Sequence, residues 1–117
     1  MKKIVLIAAV AALSACNQNK AEPAPASQAK PGTYSVTEID GTKMTSVLAG
    51  DHTYTNTVHG QRTEAGAWAI VGGKTCFTPS EGTGAYPRCY VDSPLGEDGT
   101  FTATPDRGEP ITVKKIA

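Results

Sequence analysis

Residues 66–90 read GAWAIVGGKTCFTPSEGTGAYPRCY, and this stretch decides the fold. Ala67 to Val71 is an apolar run that stops at Gly72-Gly73, and Thr75-Cys76-Phe77-Thr78 follows at once. Two glycines between segments rich in β-formers mark a tight hairpin, because the type I′ turn needs positive φ at both central residues. After Pro79 a polar loop runs from Ser80 to Ala85, and Arg88-Cys89-Tyr90-Val91 resumes strand character. Three consecutive strands result. Cys76 and Cys89 lie on the second and third, in position to form a disulfide. A bridge closing a loop of that size contributes roughly 3 kcal/mol, which is large for so small a domain. Trp68, the only tryptophan, is expected to pack nearby and to supply much of the core. The alternative reading of the pair, redox or metal chemistry, lacks the Cys-x-x-Cys spacing it needs.

The same pattern extends in both directions. Strands are expected at Thr33–Ile39, Lys43–Leu48, His52–Val58, Arg62–Val71, Lys74–Thr78, Arg88–Asp92, Thr100–Thr104 and Ile111–Ile116. Turn residues separate them, with Asp40-Gly41 the strongest hairpin signal. Gly66 inside the longest strand marks a bulge or a close backbone approach. No segment after Gly32 has a helical period. The expected fold is all-β, a small antiparallel meander of seven or eight strands that forms a barrel or a strongly curled sheet. An immunoglobulin-like sandwich is the second choice. It is disfavoured by the tight hairpins and by the position of Trp68 before both cysteines.

Upstream, the chain changes character. Lys2 and Lys3 precede an apolar run from Ile4 to Leu13, too short to span a bilayer as a helix. The run ends in Leu13-Ser14-Ala15-Cys16, which resembles the lipobox of bacterial lipoproteins. The resemblance implies cleavage before Cys16, a diacylglyceryl group on its thiol, and attachment to the bilayer through the acylated Cys16. Asn17 in place of Asp then suggests the outer membrane. Residues 1–15 are thus read as a signal peptide. This accounts for all three cysteines, one for lipid and two to pair with each other. Residues 16–31 form a polar, Ala- and Pro-rich linker expected to be disordered. The β domain then covers residues 32–117.

Losing Lys2 and Lys3 leaves nine basic against eleven acidic residues, a charge of about −2. With no basic run left, nucleic acid is excluded as a partner. No cofactor motif is present, and neither a Gly-x-Ser-x-Gly elbow, a P-loop nor a His-Glu-x-x-His pattern occurs. The two histidines, His52 and His59, are read as surface residues rather than a shared metal site. The carboxylates fall mostly in turns, and nothing in their spacing gathers two of them in one cleft. The expectation is a non-enzyme. The Gly-rich loop after Pro79, pinned by Cys76 and Cys89, presents Tyr86 and Arg88 as candidate recognition residues, since Tyr and Arg are favoured interface anchors.

The elements Gly32-Thr33-Tyr34, Asp40-Gly41-Thr42, Gly66-Ala67-Trp68, Thr75-Cys76-Phe77-Thr78-Pro79, Arg88-Cys89-Tyr90 and Thr112-Val113-Lys114-Lys115 resemble a group of small bacterial lipoproteins of unassigned function. The resemblance implies an anchored, disulfide-stapled β domain and carries no activity. Lipoprotein inhibitors of c-type lysozyme are similarly small, anchored and disulfide-bonded. Their Ser-Gly-x-x-Tyr loop is absent here, and Gly82-Thr83-Gly84-Ala85-Tyr86 is a loose echo of it. The expected function is a binding or interaction module with an envelope protein as one possible partner. The alternatives are a structural envelope lipoprotein without a ligand and an inhibitor of a cell-wall hydrolase.

Overall fold

A computed structural model describes residues 26–117. The expected signal peptide and Cys16 lie outside the described residues. The eight strands are β1 (Gly32–Thr37), β2 (Lys43–Leu48), β3 (Thr53–Val58), β4 (Gln61–Val71), β5 (Lys74–Glu81), β6 (Arg88–Asp92), β7 (Thr100–Pro105) and β8 (Ile111–Lys115). Each pairs antiparallel with the next, and β8 returns to β1 to close a barrel. Closure removes the two free edges that an open meander would have. The hairpin at Gly72-Gly73 has φ values of 60° and 82°, as a type I′ turn requires.

Side chains alternate between wall and interior as strand geometry dictates. Tyr34, Val36, Leu48, Tyr54, Trp68, Phe101, Ala103 and Val113 form the buried core. Gly66 sits where the β4–β5 register shifts. A Cβ there would lie 2.2 Å from the Thr78 carbonyl oxygen, so only glycine lets the two backbones meet. The bulge also carries β5 through Pro79 to Glu81. Proline is tolerated there because β6 pairs only with Thr75 to Phe77, leaving that flank of β5 without a ladder. The expected loop after Pro79 is shortened accordingly.

Cys76 and Cys89 are direct cross-strand partners and form the disulfide, with their Cα atoms 4.0 Å apart. Their parity places them on the outer wall, between inward-facing neighbours Thr75 and Phe77 on β5 and Arg88 and Tyr90 on β6. Trp68 is buried inside. The expectation that Trp68 packs beside the disulfide is therefore corrected: the two occupy opposite faces of one wall, because Ala69, not Trp68, pairs with Cys76.

The up-and-down order gives the barrel two distinct ends. The loops after β1, β3, β5 and β7 meet at one end, called the mouth below. The loops after β2, β4 and β6 meet at the other, the base, together with both ends of the described chain. At the base, Trp68 Nε1 donates to the Ala49 carbonyl at 3.1 Å. His52 stacks on the Trp68 ring at 4.6 Å between centroids and takes φ 71°, a left-handed conformation uncommon outside glycine.

The linker does not end at Pro31 as composition suggests. Ser27 Oγ lies 2.5 Å from Thr75 Oγ1, and Gln28 N donates to Asp92 Oδ2 at 2.8 Å. The Tyr34 hydroxyl accepts from Lys30 N at 2.9 Å and donates to Lys30 O at 2.6 Å. Ala29 packs against the core. Residues 27–30 thus form a strap across the base. Backbone groups of Gln28 and Lys30 thereby supply hydrogen bonds to the side chains of Asp92 and Tyr34.

Candidate functional site

The mouth opens on a cavity of about 400 Å³ whose lining includes Glu38, Met44, Val58, Glu64, Tyr86 and Arg107. A smaller space of about 70 Å³ continues into the barrel, between Val36, Leu48, Phe77, Phe101 and Val113. Met44, Asn56, Arg88, Tyr90 and Ile111 line both, so they form the junction. Ala29 of the strap lines the inner space.

Arg88 dominates the junction. It opens β6, and its parity with Tyr90 and Asp92 turns it inward. Its Nη1 donates to Glu64 Oε2 at 2.8 Å and to the Tyr86 carbonyl at 3.0 Å, while Nε donates to the Tyr90 hydroxyl at 3.0 Å. The guanidinium lies 5.7 Å from the Phe77 ring centroid and 5.9 Å from that of Tyr86. Burial works against its charge, but the Glu64 carboxylate and the Tyr90 hydroxyl outweigh that penalty and hold the group protonated. The Arg88 and Glu64 side chains are 16% and 14% exposed.

Glu64 also accepts the Tyr54 hydroxyl proton bond. Burial, then the hydrogen bond and the charge of Glu64, push the Tyr54 phenol well above the usual tyrosine range, against a smaller opposing effect of Arg88. Phe77 meets Tyr54 and Tyr90 edge to face, at 4.9 Å and 5.8 Å. The result is a continuous network, Tyr54–Glu64–Arg88–Tyr90, wrapped around Phe77.

At the opposite pole Asp92 is buried, bonded by Gln28 N and by Thr75 Oγ1 at 3.0 Å. Burial raises its carboxyl above the ordinary range, and the two hydrogen bonds pull it partly back.

Of the two candidate recognition residues, Tyr86 is 55% exposed at the mouth. Arg88 is not presented to solvent. Arg88 opens β6 as expected, lines the mouth, and pairs with Glu64. Asn56 went unnoticed because nothing in the Thr-rich β3 distinguishes it. Its alternation with Tyr54 was the available signal. The structure also gathers Glu38, Glu64 and Glu109 around one opening, which their spacing along the chain does not reveal. His52 and His59 lie at opposite ends of β3, and among the described residues no group of three His, Cys, Asp or Glu side chains could hold a metal ion. Comparison with protein-family models, with curated proteins and with solved structures finds no match.

Proposed function

We propose that the chain is a lipid-anchored bacterial envelope protein whose β-barrel is a non-catalytic binding module, with the mouth as its binding site. One observation carries this reading: the barrel opens into its own interior at the end opposite the strap. An anchor on Cys16 pulls on the base, so the opening is turned away from the bilayer. From Cys16 to Ser27 the chain has eleven residue steps, at most about 40 Å of extended chain. The mouth is then free to sample the space in front of the outer membrane's periplasmic face.

The binding reading is supported by the chemistry of the lining. Apolar surface, a few convergent polar groups and exposed Tyr86 together describe a site for a ligand. The Glu64 carboxylate is held by Arg88 and Tyr54, an arrangement that suits structure better than proton transfer.

Two measurements test the reading. The full chain and a Cys16→Ser variant are separated into membrane and soluble fractions, with the intact mass of the membrane form recorded. The expected result is a thioether-linked diacylglyceryl mass that the variant lacks. The full chain is also purified from its own envelope and weighed by native mass spectrometry, beside a Tyr86→Ala, Arg107→Ala variant. A bound species lost from the variant supports the binding site. Two bare, unliganded masses would overturn it and favour an envelope-maintenance role.

A further inference from the structure

We propose that the mouth takes a small molecule, uncharged or cationic, that carries an N–H donor beside an alkyl group of about three carbons. The proposal rests on the reading of the mouth as a binding site.

Asn56 supplies the donor requirement. Its residue is 4% exposed, and among the described residues its side-chain oxygen has no hydrogen-bond partner. An unmet buried acceptor costs on the order of 1–3 kcal/mol, so a partner that reaches it recovers most of that cost. Asn56 lies where the outer cavity meets the inner one. A ligand that passes from mouth to interior passes Asn56 on the way.

The charge preference follows from the lining. Glu38, Glu64 and Glu109 face two arginines, Arg88 and Arg107. Arg88 is spent on Glu64, and Asp92 stands at the far wall of the inner space. An anion would add to an acidic excess in a partly desolvated site. A neutral amide or an ammonium would not.

The inner space sets the size. An apolar cavity of about 150 Å³ holds benzene, with six carbons. A volume of about 70 Å³ takes roughly half as many on that scale. Phe77, Phe101 and Val113 provide the apolar walls. A water needs only about 10–15 Å³, so water alone could also meet Asn56. The ligand must displace it and replace its hydrogen bond.

Three probes of nearly one shape separate these terms: isobutyramide, 3-methyl-2-butanone and isobutyrate. They present an N–H donor, a methyl group and an anionic oxygen at the same place. Each is titrated into the ¹⁵N-labelled full chain in lipid nanodiscs, with backbone amide shifts followed. The expected result is a saturable response centred on Asn56, Phe77 and Ile111, with isobutyramide binding at least about tenfold tighter than the other two, the factor that one recovered hydrogen bond of about 1.4 kcal/mol gives. In Asn56→Leu that preference should vanish while the shifts of distant strands stay in place. If the variant does not fold, the ranking of the three probes on the wild-type chain still decides. Equal binding of ketone and amide, or tighter binding of isobutyrate, overturns the donor proposal and leaves the mouth as a binding site. No response from any probe, together with bare masses from the envelope, overturns both.

Discussion

Replacing Arg88 by methionine tests whether the cation at the mouth holds the barrel together. Methionine keeps much of the stem that packs against Phe77 and removes the charge and three hydrogen bonds. Glu64 is then left 14% exposed with Tyr54 as its remaining hydrogen-bond donor among the described residues. Breaking a buried ion pair by removing one partner costs about 3–5 kcal/mol. The pair sits at an opening where water can reach part of it, so the lower end applies, about 3 kcal/mol. For a domain of this size that lowers Tm by about 12–24 °C. Glu64→Gln alone should cost less, about 2 kcal/mol, because the amide still accepts from Tyr54. The double variant should fall short of the sum of the two by about 2 kcal/mol. Urea unfolding followed by Trp68 fluorescence gives all four stabilities, with equal slopes showing that the unfolded states are comparable. An Arg88→Met loss below about 0.5 kcal/mol, or costs that simply add, would refute the claim that the pair is desolvated and coupled.

Replacing both Cys76 and Cys89 by serine should lower stability by about 3 kcal/mol. The barrel fold itself should survive, as judged by its amide spectrum, because the sulfurs lie on the outer wall. Gly66→Ala should cost about 3 kcal/mol and speed hydrogen exchange across β4–β5, since the new methyl meets the Thr78 carbonyl; unchanged exchange would count against the close approach. Asp92 binds its proton more tightly folded than unfolded, because burial raises its pKa. Stability from this group is therefore greatest at low pH and declines as pH rises from the ordinary carboxylate value, about 3.9, through the higher folded-state value. Relative to Asp92→Asn, the wild type should gain stability on acidification through that window, and a gain in the opposite direction would contradict the assignment.

The strands were legible because their turns are. Gly72-Gly73 and Asp40-Gly41 delimit hairpins whatever the sheet does next, and β2 and β6 match their expected bounds. The facing cysteines followed from two adjacent strands. What the residues concealed was which face turns inward. On β6, apolar reasoning puts Cys89 and Val91 inside and Arg88, Tyr90 and Asp92 outside. The barrel does the reverse, and Val91 is exposed. Charged residues can face this interior because each end supplies partners, Glu64 for Arg88 and Gln28 with Thr75 for Asp92. Those partners come from distant points in the chain, so no local window could reveal them. Closure was likewise hidden, since the β1–β8 ladder joins Tyr34 to Lys115.

The strap explains why the composition boundary and the folding boundary differ. Residues 27–30 contain no large apolar side chain, so no hydrophobicity argument assigns them to a core. Their contribution is backbone. Gln28 N completes the Asp92 carboxylate, and the Lys30 peptide groups take both the donor and the acceptor capacity of the Tyr34 hydroxyl. Burial is the first cause that raises the Tyr34 phenol, with Lys30 lowering it and Asp92 raising it further. If this segment left, the Tyr34 hydroxyl would lose both its hydrogen bonds and Asp92 would keep only that from Thr75. The same segment carries the floor of the inner cavity through Ala29. Under the proposed anchor, any pull from the membrane arrives first at these hydrogen bonds, and only through them at the cavity. In that reading the linker meets the barrel through these four residues at the base, which places the mouth at the far end whatever the length of the linker.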